Sequence, residues 1–240
     1  MIMNDTNLFN EEIQPINRND IQRPLEQLIS PLTQTFNCDC MDLMKEYPDK
    51  YFDLAIVDPP YGIGVDGNKE QRWQDGTIKR KEHEIKGRDT EIPKAEYWNE
   101  LFRVSKNQIV WGGNYFTEFL KPTKAWIFWY KGQQGLTMSD GEMAWTSLTK
   151  VTRMVNIHRT HIWQENPIHP TQKPVKLYKW ILHNYAEKGM KILDTHLGSG
   201  SSRIAAYKAG LDFTGCELDK DYFEAQEARF KIFVAQQTLF

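Results

Sequence analysis

Short apolar runs, each closed by turn residues and several followed by a stretch of helical periodicity, constrain this chain more than anything else in it. Phe52–Val57, Asn107–Trp111, Ala125–Tyr130, Glu142–Leu148, Met190–Thr195 and Leu211–Cys216 are each five to seven residues long. Runs this short and this apolar predict strands buried on both faces. The segment Pro174–Glu187 predicts a helix. Proline stands at its first position, Leu177, Ile181 and Tyr185 recur every four residues, and Gly189 follows as a stop. Ser201–Ala209 and Asp219–Gln236 predict two more. Strands alternating with helices predict an α/β fold, a mostly parallel sheet with helices on both faces.

At 240 residues, 40% hydrophobic and 26% charged, the chain is large enough for one globular domain with a small appendage. Residues 1–35 are polar and hold Pro15, Pro24 and Pro31, which predicts an N-terminal arm ahead of a domain over 36–240. No apolar run approaches the ~20 residues of a membrane helix, and no basic-then-apolar start marks a secretory signal. Three cysteines, Cys38, Cys40 and Cys216, make no disulfide framework. They fit a reducing cytoplasm, and Cys38-x-Cys40 without a second ligand pair predicts no metal site. The overall balance of 30 Lys+Arg against 32 Asp+Glu hides an asymmetry. Residues 1–60 carry net −7, whereas residues 150–191 carry eight basic and two acidic side chains, net +6. A basic stretch of that kind fits contact with a polyanion, and equally a solvated surface. Residues 65–91, with seven basic and seven acidic side chains, predict a long mobile loop.

Two turns carry the chemistry. In Lys191-Ile-Leu-Asp-Thr-His-Leu-Gly-Ser-Gly-Ser-Ser-Arg203 a strand ends near Asp194, Gly198 and Gly200 form a tight turn, and a helix starts near Ser201. Glycines let a ligand approach the backbone, and a helix start offers unpaired N–H groups. Glu217 lies 19 positions after Gly198, at the end of the next strand, where a carboxylate can accept from ribose hydroxyls. Arg203 stands where a dinucleotide fingerprint wants a third glycine, so an adenosine ligand without pyrophosphate fits better. The other turn is Leu54-Ala-Ile-Val-Asp-Pro-Pro-Tyr-Gly62. Its prolines fix the backbone and donate no N–H. Asp58 and the Pro59 carbonyl would accept the two N–H bonds of an exocyclic amine, and Tyr61 would stack on its ring. Two acceptors on that nitrogen favour a pyramidal amine with its lone pair freed toward an electrophile. Each turn, taken alone, is also what a ligand-free α/β protein uses after a strand.

Together, and in this order, the turns resemble those of the permuted (β-class) DNA amino-methyltransferases, a family that uses S-adenosylmethionine (AdoMet) and yields S-adenosylhomocysteine. Asn37-Cys-Asp-Cys-Met41, His169-Pro-Thr-Gln-Lys-Pro174 and Asp140-Gly-Glu-Met-Ala-Trp-Thr-Ser147 are similar to further segments of that family, the last to small phage-type members. The resemblance covers about residues 36–235. It implies a Rossmann-like methyltransferase fold with permuted motif order, and a target-base site made of Asp58, Pro59, Pro60 and Tyr61. It implies cofactor contacts from Asp39 and Cys40 at the adenine, from Thr171 and Lys173 at the AdoMet carboxylate, and from Glu217 at the ribose. Asp58, Asp194, His196, Leu197, Gly198, Ser199, Gly200 and Leu218 would complete that site. Thr195-His196-Leu197 departs from the proline and phenylalanine frequent before these glycines. An aspartate at the head of the tetrad goes with adenine N6 in the family, and a serine more often with cytosine N4.

Such an enzyme must turn its base out of the duplex. Arg72, Lys79, Arg80, Lys81 and Arg88 in the loop 65–91, with Arg153 and Arg159 in a second loop over 150–168, are the expected DNA contacts. The expected function is therefore site-specific N6-adenine methylation of duplex DNA. N4-cytosine methylation and a non-catalytic AdoMet- or DNA-binding module are the alternatives. A homodimer is open, and no membrane or metal partner is expected.

Overall fold

The computed structural model describes residues 31–65, 67, 71–72, 78–80, 86–87, 89–135 and 139–237. Leu32–Phe240 form one compact unit, and the remainder, Met1–Pro31, lies outside the described residues except for Pro31. The strands are β1 (Thr33–Phe36), β2 (Phe52–Val57), β3 (Gln71–Arg72), β4 (Ile78–Arg80), β5 (Ser105–Trp111), β6 (Trp126–Tyr130), β7 (Gly141–Thr146), β8 (Arg153–Asn156), β9 (Lys191–Asp194) and β10 (Asp212–Cys216). The helices are α1 (Cys40–Lys45), α2 (Ala95–Val104), α3 (Thr160–Gln164), α4 (Val175–Tyr185), α5 (Ser201–Lys208) and α6 (Lys220–Gln237).

Eight strands make one sheet in the order β1-β10-β9-β2-β5-β7-β6-β8. β7 runs against both of its neighbours, and every other pairing is parallel. Alternation along β2 explains the layers. Leu54 and Ile56 face a core that includes Leu177 and Ile181 of α4 and Ala205 and Ala206 of α5. Ala55 and Val57 face the opposite core, with Leu43 and Met44 of α1 and Tyr97, Trp98, Leu101 and Val104 of α2. Both faces of the central strands are therefore covered, as continuous apolar runs require. In α4 the buried side chains Leu177, Tyr178, Ile181, Leu182 and Tyr185 follow the 3.6-residue period, with Pro174 at the N-cap.

From β2 the chain moves to β5 on one side, and from β9 to β10 on the other. Between them the pairing is only Leu54↔Ile192 and Ala55↔Leu193. Beyond it the two carboxyl ends part. A reversal of strand order with a gap at the carboxyl edge is where open α/β sheets bind ligands.

Three sequence expectations need correction. Thr33–Thr35, read as part of the arm, belong to β1, an edge strand in parallel register with β10 from Thr33↔Phe213 to Phe36↔Cys216. Its polar, half-exposed residues gave no apolar run. The segment 65–91 is not a plain loop, since β3 and β4 form a two-stranded antiparallel pair within it. The segment 150–168 holds β8, which closes the sheet beside β6, and the short helix α3. Among the described residues no helix is long and apolar enough to cross a membrane.

Candidate active site

The carboxyl ends of β1, β2, β9 and β10 surround a cavity of about 530 Å³. Asp58, Pro59, Pro60 and Tyr61 line it from the end of β2. His196, Leu197, Gly198 and Ser199 line it after β9, Glu217 and Leu218 after β10, and Asp39 and Cys40 after β1. Thr171 and Lys173 reach it from the segment before α4. Sequence positions far apart thus meet at one edge of the sheet. Asp194 and Gly200 do not line the cavity. Asp194 is buried behind it, and Gly200 is the N-cap of α5 at φ +71°.

The tetrad is tightly held. Tyr61 Oη donates to Asp58 Oδ1 at 2.6 Å, and Lys173 Nζ donates to Asp58 Oδ2. One carboxylate of Asp89 clamps the following turn. Tyr61 N and Gly62 N donate to its Oδ1 at 2.6 and 2.8 Å, and Val65 N to its Oδ2 at 2.8 Å. Tyr61 lies so close to Gly112 that a Cβ there would stand 2.2 Å from the ring. Tyr115 stacks on Tyr61 with centroids 5.0 Å apart and 15° between planes. Burial, with the Asp58 and Glu142 carboxylates nearby, holds the Tyr61 hydroxyl far above its ordinary range, so it stays a proton donor.

On the other side, Gly198 takes φ +51°, and a Cβ on it would meet nothing nearer than the His169 ring at 3.7 Å. Its N–H donates to Glu217 Oε2 at 2.8 Å, and Asp219 N donates to Oε1 at 2.9 Å. These bonds fix the carboxylate at the strand end, and carboxylate oxygens accept more than one hydrogen bond. Burial pushes Asp194 up to about 7, although Ser202 Oγ at 2.6 Å and His196 N at 3.1 Å donate to it. Burial pushes His196 down to about 4, so its ring is neutral at pH 7. That ring meets Tyr97 edge-on, and Nδ1 pairs with Thr195 Oγ1 at 2.9 Å. Burial, with the Asp39 carboxylate beside it, pushes Cys40 up to about 12, which keeps it a neutral thiol. Asp39 caps α1 by accepting from Met41 N at 2.7 Å.

Lys86, Glu142 and Tyr178 are three of the wall residues to which the sequence assigned no role; Asp89, His169 and Tyr222 are others. Lys86 donates to both oxygens of Asp219 at 2.8 and 2.9 Å and to Asp221 at 2.7 Å, and lies over the Tyr222 ring. With Asp89 it ties the segment after the tetrad to the start of α6. Glu142, at the start of β7, accepts from Lys131 and lies 3.2 Å from Lys173 Nζ. The ammoniums of Lys173 and Lys131 outweigh its burial and hold its carboxyl below the usual range. Tyr178 of α4 is the third. Apart from the strand motif around Glu142, no local pattern points to them.

Of the expected DNA contacts, Arg72 lies in β3 and Lys79 and Arg80 in β4. Lys81 and Arg88 lie outside the described residues. Arg153 is exposed on the outer strand β8. Arg159 donates to Gln133 Oε1 at 2.8 Å and stacks over Trp163. Among the described residues no three His, Cys, Asp or Glu side chains gather at metal-binding distance.

A sequence model of the family described as DNA methylase matches residues 79–228. YubD of Escherichia coli (strain K12) is 24% identical over 209 residues, covering 80% of this chain and 87% of its own. The structure of an M1.HpyAVI–SAM complex superposes with TM-score 0.58 at 17% identity, over 83% of this chain and 99% of the other. That of the cytosine-N4-specific PvuII DNA methyltransferase gives 0.53 at 13% identity, over 84% and 89%. The solved structures share the mixed α/β fold described above, and the family match spans well over half of the sequence. The chain belongs to the DNA methylase family of N6/N4 amino-methyltransferases.

Proposed function

We propose that this protein methylates the N6 amino group of adenine in duplex DNA, with AdoMet as the methyl donor and the base turned out of the stack. The observation that carries the reading is a single cavity with Asp58, Pro59 and Tyr61 on one wall and the Gly198 turn and Glu217 on another. Its volume of about 530 Å³ is in the range of small-molecule and cofactor sites. Gly198 leaves its backbone approachable, and Glu217 is oriented for ribose hydroxyls. Asp39, Cys40, His196, Leu197, Ser199, Leu218 and Thr171 would complete the cofactor's surroundings, with Asp194 and Gly200 shaping the turn from behind. When bound, AdoMet supplies an electrophilic methyl group on sulfur.

The chain's own residues do the rest. Asp58 and the Pro59 carbonyl accept from the amino group, which makes its lone pair available. Pro60 adds stiffness, so little freedom is lost on binding. Tyr61 offers its ring as a stacking surface, the position that Tyr115 covers here. The aspartate at the head of the tetrad supports adenine over cytosine. The β3–β4 hairpin with Arg72, Lys79 and Arg80, the neighbouring Lys81 and Arg88, and the 150–168 segment with Arg153 and Arg159 supply phosphate and groove contacts. A chain this small spans few base pairs, which a homodimer would double. Its place of action is the cytoplasm of a bacterial or phage-infected cell.

Transfer of a labelled methyl group from AdoMet to unmethylated duplex DNA, RNA and protein tests this reading. Label is expected in duplex DNA alone, and Asp58→Ala lowers incorporation at least about 100-fold. Label in RNA or protein, or an unaffected Asp58→Ala, overturns it.

A further inference from the structure

Glu142 stands at the start of a strand, on an edge where a parallel sheet places only strand carboxyl ends. β7 runs backwards, so its first residues share the edge with the carboxyl ends of its neighbours. Glu142 Oε2 is closed off from solvent and has no well-directed hydrogen bond. Its ionic neighbour is Lys173 Nζ at 3.2 Å, while Lys131 donates to Oε1. The Lys173 ammonium is itself 3% exposed. It donates to Asp58 Oδ2, sits 3.4 Å from Tyr61 Oη and lies over the Trp111 ring. An ammonium has three donors. Among the described residues Asp58 and Tyr61 accept from it, and Glu142 lies at ion-pair distance.

The charges alternate along this row, Asp58 negative, Lys173 positive, Glu142 negative, Lys131 positive. A lone cation beside a sulfonium would repel it, and a lone carboxylate pair would hold a proton. Alternation removes both problems. We propose that Lys173 is the counter-ion of Asp58, and that Glu142 is a positioning residue that keeps Lys173 there. This deepens the methyl-transfer reading of the site and rests on it. The groups facing the row are Asp58 and Tyr61 after β2, Lys131 just after β6, Lys173 before α4, Tyr178 within α4, and Asp194 at the end of β9, whose carboxyl feels the charge of Asp58.

The test compares Lys173→Met, Glu142→Gln and the double variant, with melting curves to check folding. Without the ammonium, the buried Glu142 carboxyl loses a charge that offsets its burial and keeps its proton to higher pH. Lys173→Met should therefore lose about tenfold or more in kcat at pH 7. Its acid limb should move up so that activity recovers toward pH 9. AdoMet affinity should stay within about threefold, since the ammonium is paired with Asp58 and Glu142. The double variant, with the second carboxylate gone, should bring the limb back down. The opposite pattern overturns the proposal: AdoMet binding weakened about tenfold with the pH profile unmoved, or a double variant no better than Lys173→Met. If Lys173→Met does not fold, Glu142→Gln decides. A several-fold loss in kcat at unchanged AdoMet affinity, partly restored in Glu142→Asp, supports the row, and wild-type kcat sinks it.

A readout independent of activity separates this proposal from the function itself. In protein labelled with ¹³C at glutamate carboxyls, Glu142 should titrate below its usual range in the wild type and above it in Lys173→Met. That shift without any DNA methylation by the wild type keeps the charge row and discards the methyltransferase reading. Methylation without the shift does the reverse.

Discussion

Asp194 and His196, two positions apart behind and beside the Gly198 turn, titrate in opposite senses. Asp194, pushed up to about 7, keeps a proton that the unfolded chain releases near its ordinary value of about 3.9. Its contribution to stability therefore falls as pH rises from about 4 to about 7. His196, pushed down to about 4, refuses a proton that the unfolded chain takes up near 6.5. Its contribution falls as pH drops from about 6.5 to about 4. In melting curves over a pH series, Asp194→Asn should gain on the wild type as pH rises through the first window. His196→Asn should gain as pH falls through the second. Flat differences across both windows would contradict the burial assigned to these groups.

At the scale of elements, the turn after β2 depends on two anchors outside it. Asp89 satisfies three backbone N–H groups of Tyr61, Gly62 and Val65. An unmet buried donor costs about 1–3 kcal/mol. Asp89→Ala should lower unfolding free energy in urea by about 2 kcal/mol or more and reduce methylation further than that loss explains. Asp89→Asn, which keeps an oxygen for two of the three bonds, should fall between. The second anchor is Gly112, at φ +66° with Tyr61 packed against it. Gly112→Ala both strains that backbone and pushes the ring away, so kcat should drop by about tenfold or more. An active Gly112→Ala enzyme would mean that Tyr61 is not held where the geometry places it. These anchors explain what the sequence hid. Lys86 and Asp219 are 133 positions apart, and no spacing rule joins them. Lys173 is legible in its motif as an expected contact of the cofactor carboxylate, but its pairing with Glu142 is not, because the reversal of β7 that brings Glu142 beside it has no local signature.

For the whole molecule, what the sequence displayed was burial. Phe52–Val57 was read to the residue, because a run apolar on both faces fits only a central strand. The glycine and Asp-Pro-Pro-Tyr turns were legible for the same reason, since each needs residues that few other structures use. The edge strands β1 and β8, half-exposed and polar, were not. Charge was legible as a total and not as a surface. If Arg153 and Arg159 contact phosphates, replacing each by alanine should weaken duplex binding at all sequences. Each should also reduce the slope of log K against log salt by about one. An unchanged slope would move the DNA to another face of the sheet.

The central claim is that Asp58 activates an adenine amino group. It is tested most directly by incubating the protein with AdoMet and unmethylated duplex DNA, digesting the DNA to nucleosides and identifying the methylated one by mass spectrometry. The wild type should yield N6-methyl-2′-deoxyadenosine and Asp58→Ala none. N4-methyl-2′-deoxycytidine would keep the mechanism and contradict the base. Unmodified DNA from a wild-type protein that binds AdoMet would contradict both.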